Sequence, residues 1–265
     1  MMIDNKKISD VAKIIKESNY VVVFTGAGAS TESGIEDFRS KGGLWSKYDP
    51  SIYASYYYFL QDPSKFWEMH KELESIVANA QPNYTHHAIA ELEKMGKAKA
   101  IITQNIDMLH QKADSGKYGA KIYELHGSYG ILKCIRCGAE FRYNEIDTKT
   151  VPYPVHDCDK KGYIKPKVIL FGESLPPGVL EGAMEECKNS DCFLLIGSSL
   201  VVSPANFMPS IAKNCGANVI FINREATMMD ELADIFLMGS SAEIMTSLIK
   251  KIKELFKSFS YETNF

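Results

Sequence analysis

The chain has 265 residues, 45% of them hydrophobic and 24% charged, a composition that suits one sizeable core or a large domain with a smaller one attached. Its apolar stretches fall far short of the ~20 residues a membrane helix needs, and the start MMIDNKKISD is too charged for a secretory signal; no membrane partner and a cytoplasmic location are expected. A formal net charge of -3, with lysines spread along the chain, gives no electrostatic footprint for nucleic acid.

Taken in chain order, short apolar runs recur, each followed at once by small or polar residues and then by helical spacing. They are Val21 to Phe24, Ala100 to Thr103, Ile122 to Leu125, Phe193 to Ile196 and Val219 to Ile222. Between the first two, residues 85–94 repeat apolar positions every three or four, and Gly96 can close that helix. Residues 242–256 have helical periodicity as well. The alternation predicts an α/β, Rossmann-like, doubly wound parallel sheet covered by helices.

Two stretches break the rhythm. Residues 41–81 carry Trp45, Tyr48, Tyr53, Tyr56, Phe66 and Trp67 among other aromatics and read as a helical insert. Residues 129–165 hold Cys134-x-x-Cys137, prolines and several charges, and read as a loop-rich module needing its own staple. Residues 1–40, 82–128 and 166–255 are therefore assigned to the Rossmann-like domain and the two insertions to a second, smaller domain, with a cleft between them. Cys187, Cys192 and Cys215 stand in apolar surroundings that suggest buried thiols.

Ligands of an open parallel sheet bind beyond the carboxyl ends of its strands. The first run leads into Gly26-Ala27-Gly28-Ala29-Ser30, where glycines permit close backbone approach and a following helix N-terminus suits a phosphate. A glycine turn that merely packs strand on helix is the bland alternative. The third glycine of G-x-G-x-x-G and the acidic ribose ligand are missing, which disfavours a hydride-transferring dehydrogenase.

The segment continues Thr31-Glu32-Ser33-Gly34-Ile35-Glu36-Asp37-Phe38-Arg39, and the later runs end in Thr103-Gln104-Asn105-Ile106-Asp107-Met108-Leu109-His110, Leu125-His126-Gly127-Ser128, Gly197-Ser198-Ser199-Leu200 and Ile222-Asn223. In order and spacing these resemble the sirtuin family, whose first motif reads G-A-G-x-S-x-x-S-G-I-P-D-F-R; Glu36 departs from it by replacing the usual proline. The resemblance covers nearly the whole chain. It implies an NAD-dependent protein-lysine deacylase that consumes NAD as co-substrate and releases nicotinamide and an acylated ADP-ribose. In that mechanism the acyl oxygen attacks the ribose carbon, and a base then deprotonates a ribose hydroxyl that captures the acyl carbon.

Carried over residue by residue, the resemblance makes His126 the base, and an imidazole with an ordinary pKa of about 6.5 suits that task. Asn105 would hold a ribose hydroxyl or an ordered water, and Gln104 the other ribose edge. Asp107 and the Ile106 backbone would bind the carboxamide, and Phe38 would shield the exposed sugar carbon. Gly26, Ala27, Gly28, Thr31 and Arg39 would line the phosphate and nicotinamide path; Gly197, Ser198, Ser199, Asn223 and Ser241 would hold the adenosine half. His86, His87 and His110 read as structural.

Lys165-Pro166-Lys167-Val168-Ile169-Leu170-Phe171-Gly172-Glu173 is similar to the family's R-P-x-V-V-x-F-G-E. An acylated-lysine peptide would pair edge-on with it, Ile169 and Phe171 walling the lysine tunnel and Gly172 and Glu173 ending the site. Rivals in the same pocket are protein ADP-ribosyl transfer and NAD hydrolysis; a noncatalytic NAD sensor is the rival from another class.

Two departures from the family bear on metal and substrate. Structural zinc there uses two C-x-x-C pairs; here Cys134, Cys137 and Cys158 are present and the fourth cysteine is not, leaving His156, Asp157 or Asp159 as substitutes, or loss of the metal. Sirtuins that prefer acidic acyl groups resemble one another in a Tyr-x-x-Arg pair in the helical insert. His70 and Leu73 take those places here, which implies acetyl and similar uncharged acyl groups.

Overall fold

The computed structural model describes residues 4–39, 42–158 and 162–262. Helix α1 (Asn5–Glu17), capped by the Asp4 carboxylate on the amides of Lys6 and Lys7, leads into β1 (Val21–Thr25). The aromatic insert is helical as expected, with α2 (Pro50–Tyr53), α3 (Tyr56–Gln61) and α4 (Ser64–Asn79). Helix α5 (Tyr84–Lys94), capped by Asn83, feeds β2 (Ala98–Thr103). After α6 (Leu109–Lys112) come β3 (Lys121–Glu124), β4 (Gly127–Cys134), β5 (Glu140–Phe141), β6 (Val155–His156) and β7 (Gly162–Val168). The chain ends through α7 (Val179–Asn189), β8 (Cys192–Ile196), α8 (Met208–Asn214), β9 (Asn218–Asn223), β10 (Ile235–Met238) and α9 (Ser241–Glu262).

Six strands form one parallel sheet in the order β3-β2-β1-β8-β9-β10, the doubly wound arrangement expected from the sequence. All five apolar runs are strands of it, and β10 is a sixth that the run pattern had not included. Every residue of β1 and β8 is buried, because helices cover both faces. Val21, Val23, Leu194 and Ile196 pack under Val11, Ile15, Ile89, Leu92 and Leu248 of α1, α5 and α9. Their neighbours Val22, Phe24, Phe193 and Leu195 point the other way, onto Ala183, Cys187, Met208 and Ala212 of α7 and α8. Burial of each large side chain contributes about 1.5–3 kcal/mol.

Residues 129–165 are loop-rich as read, and their short strands, which the sequence pattern did not anticipate, belong to a four-stranded antiparallel sheet in the order β5-β4-β7-β6. Its pairing reaches Gly127 and Val168, at the two points where the chain passes between the sheets. Helix α4 packs on it through Phe66, Trp67 and Met69 against Tyr129, Leu132 and Ile164, and Trp67 Nε1 donates to the Ile164 carbonyl at 3.2 Å. Cys187 and Cys192 are buried as read, but Cys215 is exposed because it caps the C-terminus of α8 at the surface. No helix among the described residues is long and apolar enough to cross a membrane.

Candidate active site

The strand order reverses between β1 and β8, and the turns that follow these strands meet there. Gly28 N donates to Gly197 O at 2.8 Å, and a Cβ on Gly28 would lie 2.8 Å from Gly197 Cα, so the two turns can touch only as glycines. Glycine here serves close packing and also leaves the strand ends open. Above them lies a cavity of about 570 Å³ that runs from the large sheet to the small one.

The cavity gathers nearly all the residues singled out in the sequence. Gly26, Ala27, Gly28, Thr31, Phe38 and Arg39 line it from the β1 side, and Gln104, Asn105, Ile106 and His126 from the ends of β2 and β3. Gly197, Ser198, Ser199, Asn223 and Ser241 close one end, and Ile169, Phe171, Gly172 and Glu173 contribute near the small sheet. Asp107 is the exception: it is buried and does not line the cavity. The run pattern had not flagged Arg224 to Thr227, which line it after β9, although their place just past a strand end was a sufficient signal.

His126 is held at a crossing between the sheets, where its carbonyl accepts from Ile169 N at 2.8 Å. Its Nδ1 lies 3.0 Å from the Gln104 carbonyl. A carbonyl only accepts, so Nδ1 carries the proton and Nε2 keeps the free lone pair. Burial pushes the imidazole below its ordinary pKa and nearby Arg39 adds to this, while the Gln104 carbonyl opposes it. Burial thus favours the neutral ring.

Beneath the cavity floor a buried polar network fixes the β1 and β2 turns to each other. Asn105 Nδ2 donates to Gly26 O at 3.1 Å and to Ser30 Oγ at 3.0 Å, and Ser30 Oγ donates to Asp107 Oδ2 at 2.6 Å. The Leu109 amide gives Asp107 a second hydrogen bond at 2.9 Å. Burial pushes the Asp107 carboxyl above its ordinary pKa, and these donors oppose the shift. At the end closed by Ser198 and Asn223, Gln104 Nε2 donates to Ser198 Oγ at 2.7 Å and Asn223 Nδ2 to Ser198 O at 2.9 Å. His86 and His110 are buried with rings 5.1 Å apart, and both have polar contacts there: His86 Nε2 lies 3.4 Å from Ser30 Oγ and its Nδ1 accepts from Asn83 N at 3.2 Å, while His110 Nε2 lies 2.9 Å from Thr25 Oγ1.

At the far end of the small sheet, the ligand atoms of Cys134, Cys137, His156 and Cys158 all lie within 4.8 Å of one another. A zinc tetrahedron with metal–sulfur bonds of about 2.3 Å has edges of about 3.8 Å, so this set is the right size for the ion. A Cβ on Gly162 would fall 2.1 Å from Cys134 Sγ, so only glycine leaves room for the thiol. Asp157 is not in the group, and Asp159 lies outside the described residues.

Residues 26–204 match the model of the Sir2 family. An NAD-dependent protein deacylase 2 of Archaeoglobus fulgidus is 45% identical over 251 residues, 94% of this chain and 97% of that protein. A Sir2 enzyme solved with a deacetylated p53 peptide and 3'-O-acetyl ADP-ribose superposes with a TM-score of 0.86 at 32% identity, covering 92% of this chain and 98% of that one. Sir2Af2 bound to a myristoylated histone peptide does so with a TM-score of 0.79 at 38% identity, covering 96% and 100%. By motif, fold and overall likeness, the chain belongs to the Sir2 family.

Proposed function

We propose that this chain is an NAD-dependent protein-lysine deacylase that transfers acetyl and other uncharged acyl groups from lysine to ADP-ribose. The observation that carries the reading is His126: a neutral imidazole with Nε2 free, in one cavity with both the nucleotide-side turns and the Ile169–Phe171 segment. NAD supplies the ribose carbon that takes the acyl oxygen as nicotinamide leaves. Gln104 and Asn105 orient the ribose, and the backbone at Ile106 takes the carboxamide. Asp107 joins Ile106 by exchanging its bond to Ser30 Oγ. Phe38, whose ring centroid lies 5.1 Å from that of Trp45, covers the sugar and keeps water out. His126 Nε2 then accepts a ribose hydroxyl proton.

Thr31, Arg39 and the glycine turns are assigned to the phosphates, and Ser198, Ser199, Asn223 and Ser241 to the adenosine half. Ile169 and Phe171 wall the lysine tunnel. Cys134, Cys137, Cys158 and His156 would hold zinc, the imidazole standing in for the missing cysteine; the ion would staple the small sheet and take no part in the reaction. Related structures with an acetyl ADP-ribose and with a myristoylated peptide support the product and the neutral acyl class.

The test is mass spectrometry of the small molecules formed from NAD and an acetylated peptide. O-acetyl-ADP-ribose appearing in step with nicotinamide is the expected result. Free ADP-ribose formed at the same rate without peptide would overturn it in favour of NAD hydrolysis.

A further inference from the structure

Residues 168–173 carry the chain from the small sheet back to the large one and supply the wall on which the acylated peptide is placed. Their backbone is held from outside: Ile169 N donates to His126 O, Phe171 N to Ala54 O at 2.8 Å, and Tyr56 N to Phe171 O at 2.9 Å. From inside, the turn is closed by a side-chain pair. Lys165 Nζ lies 3.0 Å from Glu173 Oε2 and donates to the Val168 carbonyl at 2.6 Å and the Pro166 carbonyl at 3.4 Å. The same Glu173 oxygen accepts from Leu170 N at 3.0 Å.

A buried ammonium is costly unless each of its donors is used, and this lysine, 4% exposed, meets three acceptors. Glu173, set by the sequence at the end of the peptide site, lines the cavity, and its carboxylate is engaged with Lys165 and Leu170; Lys165 itself does not line the cavity. Because Ile169 N is bonded to the His126 carbonyl, any slip of the segment moves the tunnel wall relative to the base.

We propose that Lys165 and Glu173 are positioning residues, an internal clamp that holds the peptide-binding segment in register with His126 and so sets affinity for the acylated peptide, not for NAD. The proposal rests on the deacylase reading. The test compares Lys165→Met, Glu173→Gln and Lys165→Arg in the full chain, with KM for an acetylated peptide from steady-state rates and Kd for NAD from calorimetry without peptide. Lys165→Met and Glu173→Gln should each raise the peptide KM at least ~10-fold with NAD affinity within ~2-fold, and Lys165→Arg, which restores a cation to Glu173, should come back to within ~3-fold of the parent.

An unchanged peptide KM in folded Glu173→Gln, or NAD affinity falling in parallel with it, would overturn the clamp, the second outcome marking the pair as support for the whole fold. Where Lys165→Met does not fold, the nearly isosteric Glu173→Gln decides. A parent protein that binds NAD and leaves the acetyl group in place would overturn the functional reading instead. The clamp would then be decided by Kd for a fluorescent acetyl-peptide in the same variants.

Discussion

At the scale of single residues, the site works by fixing which nitrogen or oxygen is free. His126 Nδ1 is tied to the Gln104 carbonyl, so removing the ring should cost the proton-transfer step and spare NAD binding. His126→Ala should lose about 10²-fold or more in deacylation with NAD Kd nearly unchanged, and full turnover in the variant would refute the assignment. Burial lowers the pKa of His126, so the base stays unprotonated until the pH falls below its ordinary value of about 6.5. The kcat/KM profile should therefore be flat through neutrality and fall only on the acid side, with a limb that Gln104 and Arg39 tune. Asp107 is the residue whose role is least exposed by its position, since its carboxylate is engaged by Ser30 and Leu109. Asp107→Asn should weaken deacylation and nicotinamide inhibition together, each by at least ~10-fold. Inhibition that survives unchanged would mean that Asp107 acts only by holding Ser30. That most of these residues line one cavity was legible in the sequence, because the motifs that resemble the sirtuin family fall at the strand ends. Ser30 was present in the motif, but its part as the joint between Asn105 and Asp107 was not legible, because a hydroxyl's partners are set by the fold.

At the scale of elements, legibility followed hydrophobic pattern. The runs at β1 and β8 stood out most because parallel strands covered on both faces are apolar throughout, whereas β3, at the sheet edge, is only partly covered. The small sheet was missed because β5 and β6 have two residues each and the β4–β7 ladder shifts register between Ser128 and Leu132, which leaves no sustained alternation. Strands this short are marginal alone. They are held by α4 on one side and by the Cys134, Cys137, His156 and Cys158 group on the other. The module should therefore depend on its metal: elemental analysis of protein purified without chelator should find about one equivalent of zinc, and chelation should lower Tm by at least ~5 °C. His156→Ala should lose the zinc, and His156→Cys, which restores a sulfur donor, should keep it. A chelation-indifferent Tm with little zinc would show that packing under α4 is a sufficient staple.

At the scale of the whole molecule, one cavity joins two environments. The large sheet contributes glycine turns and hydrogen-bonding side chains, whereas the helical insert and small sheet contribute Leu44, Phe66, Met69, Leu73, Tyr129 and Leu170. The two arginines that line it, Arg39 and Arg224, come from the segments after β1 and β9. His70, which the family resemblance sets at the tyrosine of acid-preferring sirtuins, is 0% exposed, with its ring stacked on Tyr129 and Phe66. It is hydrogen-bonded to the Tyr129 and Tyr143 hydroxyls, and burial pushes its pKa down to about 3, so it offers no charge at neutral pH. Lys71 does not line the cavity and donates to the Val151 carbonyl at 2.6 Å. An acyl carboxylate entering this end would lose water and gain no cation, a cost of several kcal/mol. A neutral chain would bury methylenes at about 0.8 kcal/mol each. On one peptide carrying each group, kcat/KM for acetyl and longer saturated acyl-lysine should exceed that for succinyl-lysine by at least ~10-fold, equivalent to about 1.4 kcal/mol in the transition state. Leu73→Arg should narrow the gap by placing a guanidinium beside the acyl tail. Succinyl activity equal to acetyl in the parent protein would mean that Lys71 leaves Val151 and turns into the cavity, and Lys71→Met would then remove that activity alone.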